Sequence, residues 1–478
     1  MKTKRNMFQL CLLGAVLLLP AVGQAQFTFT TNNGAITITG YTGTNSIVVI
    51  PAITNGFPIV SIAGSAFSYS TLTSVIIPDS VTNIGSKAFA ECATLTSLII
   101  SNSVVSIGAN SFTDCLSLTN VSLGINVPSI GDLAFSGCSS LTSINVPNSV
   151  INIGQWAFAF CDNLSVITVA TNNPSYSSLD GVLFNKSQTM LIKYPEGKSG
   201  NYSIPSGVTI IDDFGIYACT SLTSIFIPIT VTNIYGNGYI FDTFSYCSSL
   251  KAITVDEQNP VYSSRDGVLF DKSITTLINY PQGRTEAFYT IPDSVTSIDP
   301  NNFHFCINLT NLIIGDNVTN IGAEAIISCP NLTSVTLGKD VTYIGDDVGT
   351  GCGNLTTIFV RGDAPTNIGW DVFLGDTNAT IYYLPGSVGW STDSWYPPTA
   401  LWIPQIDTSG GSFGVQTNQF GFNIQWASGE TVVVEACTNL SNPVWQPVQT
   451  NTLTGGAAYF SDPQWTNYPG RYYRLRSP

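Results

Sequence analysis

Leu72-Thr-Ser-Val-Ile-Ile-Pro-Asp-Ser-Val-Thr-Asn-Ile-Gly-Ser-Lys-Ala-Phe-Ala-Glu-Cys92 is one copy of a pattern that recurs along this chain. Its cysteine reveals the period. Cys92, Cys115, Cys138 and Cys161 are each 23 residues apart, and Cys306, Cys329 and Cys352 keep the same interval. The spacing is interrupted between Cys161 and Cys219, and again between Cys247 and Cys306, which points to two insertions. Each copy has an Ile eight residues before the cysteine, usually followed by Gly: Ile84-Gly85, Ile107-Gly108, Ile130-Gly131, Ile153-Gly154, Ile321-Gly322 and Ile344-Gly345. An apolar residue, often Phe, stands three before it (Phe89, Phe112, Phe135, Phe158, Phe244, Phe303).

Leu-x-x-(Val/Leu/Ile)-x-(Ile/Leu/Val) follows each cysteine, as in Leu95, Leu98 and Ile100 or Leu332, Val335 and Leu337. The alternating end of that segment suits a short strand with one buried face. Pro-Asp-Ser or Pro-Asn-Ser marks a turn, and Val-Thr-x-Ile supplies a second short strand. The spacing of Ala-Phe-x-x-Cys predicts a short helical turn returning the chain to the next coil. A single copy cannot bury its own apolar residues, whereas stacked coils about 4.8 Å apart bury them as continuous ladders.

The string from Leu72 to Cys92 resembles the BspA-type (treponemal-type) leucine-rich repeat, and the resemblance spans roughly residues 45 to 376. The two insertions resemble that family too, and nearly duplicate each other. Asn173-Pro-Ser-Tyr-Ser-Ser-Leu-Asp-Gly-Val-Leu-Phe-Asn-Lys corresponds to Asn259-Pro-Val-Tyr-Ser-Ser-Arg-Asp-Gly-Val-Leu-Phe-Asp-Lys. Asp180-Gly181 and Asp266-Gly267 are tight-turn pairs. The resemblance implies a β-rich leucine-rich-repeat solenoid of about 23-residue coils. It also implies kinship with bacterial surface antigens and adhesins that bind host matrix proteins or other cells.

Domain boundaries follow from where the pattern starts and decays. Residues 1–25 read as a signal peptide: Lys2, Lys4 and Arg5 are basic, Leu10 to Leu19 lies in an apolar stretch, and Gly23-Gln24-Ala25 offers small residues for cleavage. Residues 26–60 are expected to cap the first coil. The solenoid is expected over 61–376, with variant coils near 172–205 and 259–292. A C-terminal cap over 377–407 contains Trp390, Trp395 and Trp402, and a linker over 408–412 leads to a small all-β, sandwich-like domain over 413–478. Its expected strands run from Phe420 to Trp426, Thr431 to Ala436, Val444 to Gln449, Ala457 to Phe460 and Tyr472 to Leu475. Trp426, Trp445 and Trp465 either contact carbohydrate or fill its small core, and the core reading is preferred.

Composition narrows the function. With 16 basic against 30 acidic residues the formal charge is −14, which disfavours nucleic acid and anionic membranes as partners. No further segment is long and apolar enough to insert in a membrane once a signal peptide is removed. The single histidine, His304, has no nucleophile placed beside it, and neither CxxC nor HExxH occurs. No catalysis, metal or cofactor is therefore expected. Nine cysteines share one repeat position, so buried free thiols are preferred over disulfides. Arg361-Gly362-Asp363 matches the integrin-recognition tripeptide, but Gly-Asp is also ordinary turn chemistry. Asp212-Asp213 and Asp346-Asp347 lack the Gly-rich acidic repeat of a calcium site.

A surface remains. In each Leu-x-x-Val-x-Ile strand, the residue between the last two apolar positions points outward: Ile76, Ile99, Ser122, Asn145, Thr168, Phe226, Thr254, Ile313, Thr336 and Phe359. These are the candidate binding residues of an exported, monomeric adhesin, secreted or at the cell surface, with an extracellular protein or glycan as partner. The alternative is a structural spacer of the envelope or matrix that presents the C-terminal β domain.

Overall fold

The computed structural model describes residues 26–234, 243–390, 397–409 and 411–478. The signal-peptide reading of residues 1–25 lies outside the described residues, as does Trp395. The chain forms two compact units, Met1–Leu250 and Lys251–Pro478.

In the first unit a hairpin, Phe27–Asn32 with Ala35–Tyr41, turns at Asn33 and Gly34, whose φ angles of 49° and 76° suit the right-handed twist of the pair. Ala35–Tyr41 then pairs in parallel with Phe57–Ile62, starting a ladder through Asn83–Ile84, Ser106–Ile107, Ser129–Ile130 and Asn152–Ile153. The isoleucines of this ladder stand in register, Ile62 beside Ile84, Ile84 beside Ile107 and Ile107 beside Ile130. A second parallel ladder holds Ile47–Val49, Ser74–Ile76, Ser97–Ile99 and Asn120–Ser122. Ser143–Val146 pairs in the same sense with Val166–Val169.

The side closing each coil is not helical. Lys87 and Glu91 have φ of 58° and 59°, and Asn110 and Asp114 have 57° and 55°. Left-handed residues placed four apart keep the chain from winding into a helix, so alternate amides turn toward the neighbouring coil while those between close turns within their own. Phe67 donates to the Ala88 carbonyl, Phe89 to Ser111 and Phe112 to Ala134, each at 2.8 Å. A third hydrogen-bonded column thus replaces the helical turn expected from Ala-Phe-x-x-Cys. It stacks the rings of Phe67, Phe89, Phe112, Phe135 and Phe158 with centroids 4.7–6.0 Å apart.

The glycine after each isoleucine is required by close approach. A Cβ on Gly85 would lie 2.6 Å from the Gly64 nitrogen, and one on Gly131 2.6 Å from the Ala109 nitrogen. Asp212 replaces this glycine directly after the first insertion, where the coil beneath is the insert's third strand, Met190–Lys193. The insert itself is a hairpin, Tyr176–Leu179 with Val182–Asn185, turning at Asp180 and Gly181. Asn173 anchors its start. The buried Asn173 amide donates to the Pro147 and Val150 carbonyls and accepts from the Ser175 and Tyr176 amides, which satisfies it fully.

The second unit repeats the plan. The Tyr262–Arg265 and Val268–Asp271 hairpin leads through Thr276–Asn279 into the ladder of Ser297–Ile298, Asn320–Ile321, Tyr343–Ile344 and Asn367–Ile368. The opposite ladder runs Phe288–Thr290, Asn311–Ile313, Ser334–Leu337, Thr357–Val360, Thr380–Tyr383 and Thr399–Leu401. Two antiparallel sheets follow. One joins Gln405–Asp407, Gly414–Gln416, Gln419–Gln425 and Ala457–Asp462; the other joins Thr431–Cys437, Gln446–Thr452 and Tyr472–Arg476. Phe422, Ile424, Val432, Val434 and Phe460 fill the space between them, with Trp426 buried at one end. Trp445 instead lies under the Arg474 guanidinium at 4.5 Å, and Trp465 sits in a 3-10 turn with its indole donating to the Asn418 carbonyl.

Candidate functional site

Strand pleating sends alternate side chains out of the solenoid. In the first unit Ile76, Ile99 and Ser122 stand in one register, and Asn145 stands beside Thr168, whose hydroxyl donates to the Asn145 side-chain oxygen at 3.0 Å. Phe226 lies opposite Ser203. In the second unit Thr254 occupies Ala252–Val255, while Ile313, Thr336 and Phe359 form one column that Thr290 precedes and Tyr382 continues. The geometry therefore groups some of the ten positions closely and leaves Thr254 and Phe226 outside those columns.

Much of the surrounding threonine has a structural use. The Thr96 hydroxyl donates to the Thr73 carbonyl and Thr119 to Thr96; Thr333 donates to Thr310 and Thr356 to Thr333, all at 2.9–3.2 Å. These hydroxyls stitch each coil to its predecessor.

A cleft of about 800 Å³ opens in the second unit over the Ile313, Thr336 and Phe359 column. Phe288 and Trp402 extend its solenoid wall, and Trp426, Ser428, Gly455 and Gly456 of the C-terminal sheets form the facing wall. The Phe359 and Trp402 rings pack at 4.3 Å, and the Trp426 indole donates to the Trp402 carbonyl at 2.9 Å, holding the aromatic group in place. Gly455 and Gly456 have φ of 62° and 80°, so the turn between Thr454 and Ala457 that closes this wall carries no side chains at its tip. Asp293 and Lys339 also line the cleft, and neither has an ion-pair partner among the described residues.

Arg361 closes one corner. Its guanidinium donates to Asp316 at 2.9 Å and to the Ser428 carbonyl at 2.8 Å. Asp363 accepts the Val388 amide at 2.7 Å, and the backbone of Lys339 leaves no room for a Cβ on Gly362. All three residues of Arg361-Gly362-Asp363 are thus committed to internal packing. Sequence reading missed Phe288, Trp402 and the glycine pair as parts of one site. Phe288 was within reach, because it lies two residues before Thr290 on the same outward face.

Other ionisable groups are held as structure. His304 is buried beside Phe305, and burial lowers its pKa to about 4. Lys193 and Glu196 form a buried pair next to a crevice of about 130 Å³, room for a few waters. The cysteines form their own column. Cys115, Cys138 and Cys161 donate to the carbonyls of Phe89, Phe112 and Phe135 at 3.2–3.3 Å, and burial pushes their thiols far above the ordinary range. In the last coil Asp376 takes the place of the cysteine, three residues after Phe373. Both its carboxyl oxygens are buried, and burial raises its pKa to about 7, outweighing the opposing hydrogen bond from the Cys352 backbone. No group of three or more His, Cys, Asp or Glu capable of holding a metal occurs among the described residues. No helix among them is long and apolar enough to cross a membrane.

Comparison with known proteins agrees with this architecture. The sequence matches the BspA type leucine rich repeat region in 6 copies, over residues 60–190, 198–287 and 285–389. No curated protein sequence matches it significantly. Among solved structures it is similar to a leucine rich cell surface protein from Faecalibacterium prausnitzii, at 26% identity over 72% of this chain and 93% of that one, with a TM-score of 0.42. It is also similar to the pneumococcal vaccine antigen PcpA, at 18% identity over 76% of this chain and 93% of that one, with a TM-score of 0.49. A leucine-rich repeat protein from Bacteroides ovatus shares 23% identity over 75% of this chain and 83% of that one, at a TM-score of 0.37. With the repeat matched across most of its length, the chain belongs to the family of BspA-type leucine-rich repeat proteins.

Proposed function

We propose that this is an exported, non-catalytic binding protein that recognises an extracellular protein or glycan through outward-facing strands of its solenoid. One observation carries the reading: Ile313, Thr336 and Phe359 share one register, with exposed Phe288 and Leu401 on the same ladder. Apolar side chains grouped on a face rich in stitched hydroxyls have no folding role to explain their exposure, and such groups mark interaction sites. Residues 1–25 are read as the export signal, so the secreted protein is expected to begin at Gln26 by mass spectrometry.

A spacer role is the second reading. It is favoured by Ser122, Asn145 and Thr168, which offer only polar groups where a binding face would place anchors. A screen of the full chain against matrix proteins and glycans separates the two. Saturable binding that Ile313→Asp weakens at least tenfold, with Gly353→Ala unchanged, supports recognition. No binding to any probe, together with full tolerance of both substitutions, supports the spacer.

A further inference from the structure

We infer that the cleft beneath Trp426 is a binding site for a neutral oligosaccharide. This rests on the reading of the protein as a binding module and names the class of ligand. The cleft's volume of about 800 Å³ lies within the range of built ligand sites and exceeds what a single sugar ring needs. Its lining alternates two kinds of chemistry. Phe288, Phe359 and Trp402 present aromatic surface, which suits the C–H face of a pyranose ring. Asp293, Asn311 and Lys339 present side chains that accept from and donate to ring hydroxyls.

Charge narrows the ligand further. Two acids and two bases line the cleft, Asp293 and Asp316 against Lys339 and Arg361, so no net charge remains to select an ion. Arg361 is already taken by Asp316 and the Ser428 carbonyl. The chain as a whole carries −14, which repels anionic glycans. A folded protein partner fits less well, because the site is a walled cleft whereas protein interfaces of ordinary size are broad patches of about 800 Å² a side. The coil spacing of about 4.8 Å also offers polar groups at intervals comparable to the length of one sugar unit, so an extended chain can meet several coils at once.

The test is titration of the full chain with neutral hexasaccharides of glucose, mannose and xylose, followed by tryptophan fluorescence. Two variants accompany it: Phe288→Ala removes an exposed ring, and Thr336→Trp fills the floor from an outward position without touching the core. Expected is a saturable fluorescence change with at least one hexasaccharide, weakened tenfold or more by each variant while the unfolding temperature stays put. Binding that neither variant alters overturns this site while leaving a glycan-binding protein. Binding of a matrix protein but of no hexasaccharide overturns the glycan assignment and keeps the recognition reading. Failure to bind any probe overturns both.

Discussion

The Lys193 ammonium sits 2.7 Å from Oε1 of Glu196, and both side chains are buried. The same carboxylate oxygen accepts the Phe160 amide, and Lys193 also donates to the Tyr217 carbonyl. The second insertion solves the same packing with neutral groups, Asn279 and Gln282, on either side of Tyr280-Pro281. Lys193→Met alone is expected to strand a buried carboxylate and cost about 3–5 kcal/mol. Pairing Lys193→Asn with Glu196→Gln restores most of that loss. Urea unfolding of both variants checks it; a double variant no better than the single one would refute the pairing.

Asn173 makes four hydrogen bonds inside the first insertion. Asn173→Ala leaves two carbonyls and two amides to find new partners in a buried turn, at a cost of about 2–4 kcal/mol. Hydrogen exchange localises the damage: the 173–185 hairpin is expected to lose protection first, ahead of the Phe67 to Phe135 column.

Gly131→Ala places a methyl group against the backbone of the preceding coil and is expected to cost more than about 3 kcal/mol. Gly353→Ala is the control, since a Cβ there meets nothing within 4 Å. It is expected to be neutral or slightly stabilising, because the unfolded chain loses freedom. Equal effects of the two substitutions on the unfolding temperature would mean that close approach is not the reason for the repeated glycine.

Much of this architecture is legible in the sequence, because stacking turns a linear period into columns. The isoleucine, phenylalanine and cysteine of each 23-residue unit had to meet their own copies. What periodicity hides is backbone sign. Ala-Phe-x-x-Cys has helical spacing, yet left-handed Lys87 and Glu91 turn alternate amides toward the next coil, and both residue types are common in helices. The cleft was hidden for another reason. Trp402 and Trp426 belong to no repeat, so nothing in the sequence reports that they meet the Phe359 column.

Asp376 makes stability depend on pH. Its folded pKa of about 7 stands above the ordinary aspartate value, so it costs nothing while protonated in both states below about pH 4. As pH rises, the unfolded chain ionises first and stability falls until pH passes about 7. Asp376→Asn is therefore expected to raise the unfolding temperature by a few degrees at pH 8 and to change little at pH 4. Equal effects at both pH values would contradict this.

The column of sulfurs has a consequence for observing the molecule at work. Cys115, Cys138, Cys161 and Cys329 are sealed one per coil, each tethered to the carbonyl of a phenylalanine 26 residues before it. A thiol reagent in solution reaches such a sulfur only when its own coil opens. The chain therefore carries a built-in register of local opening, in which the number of modified sulfurs counts the coils that have come apart and their positions show where fraying began.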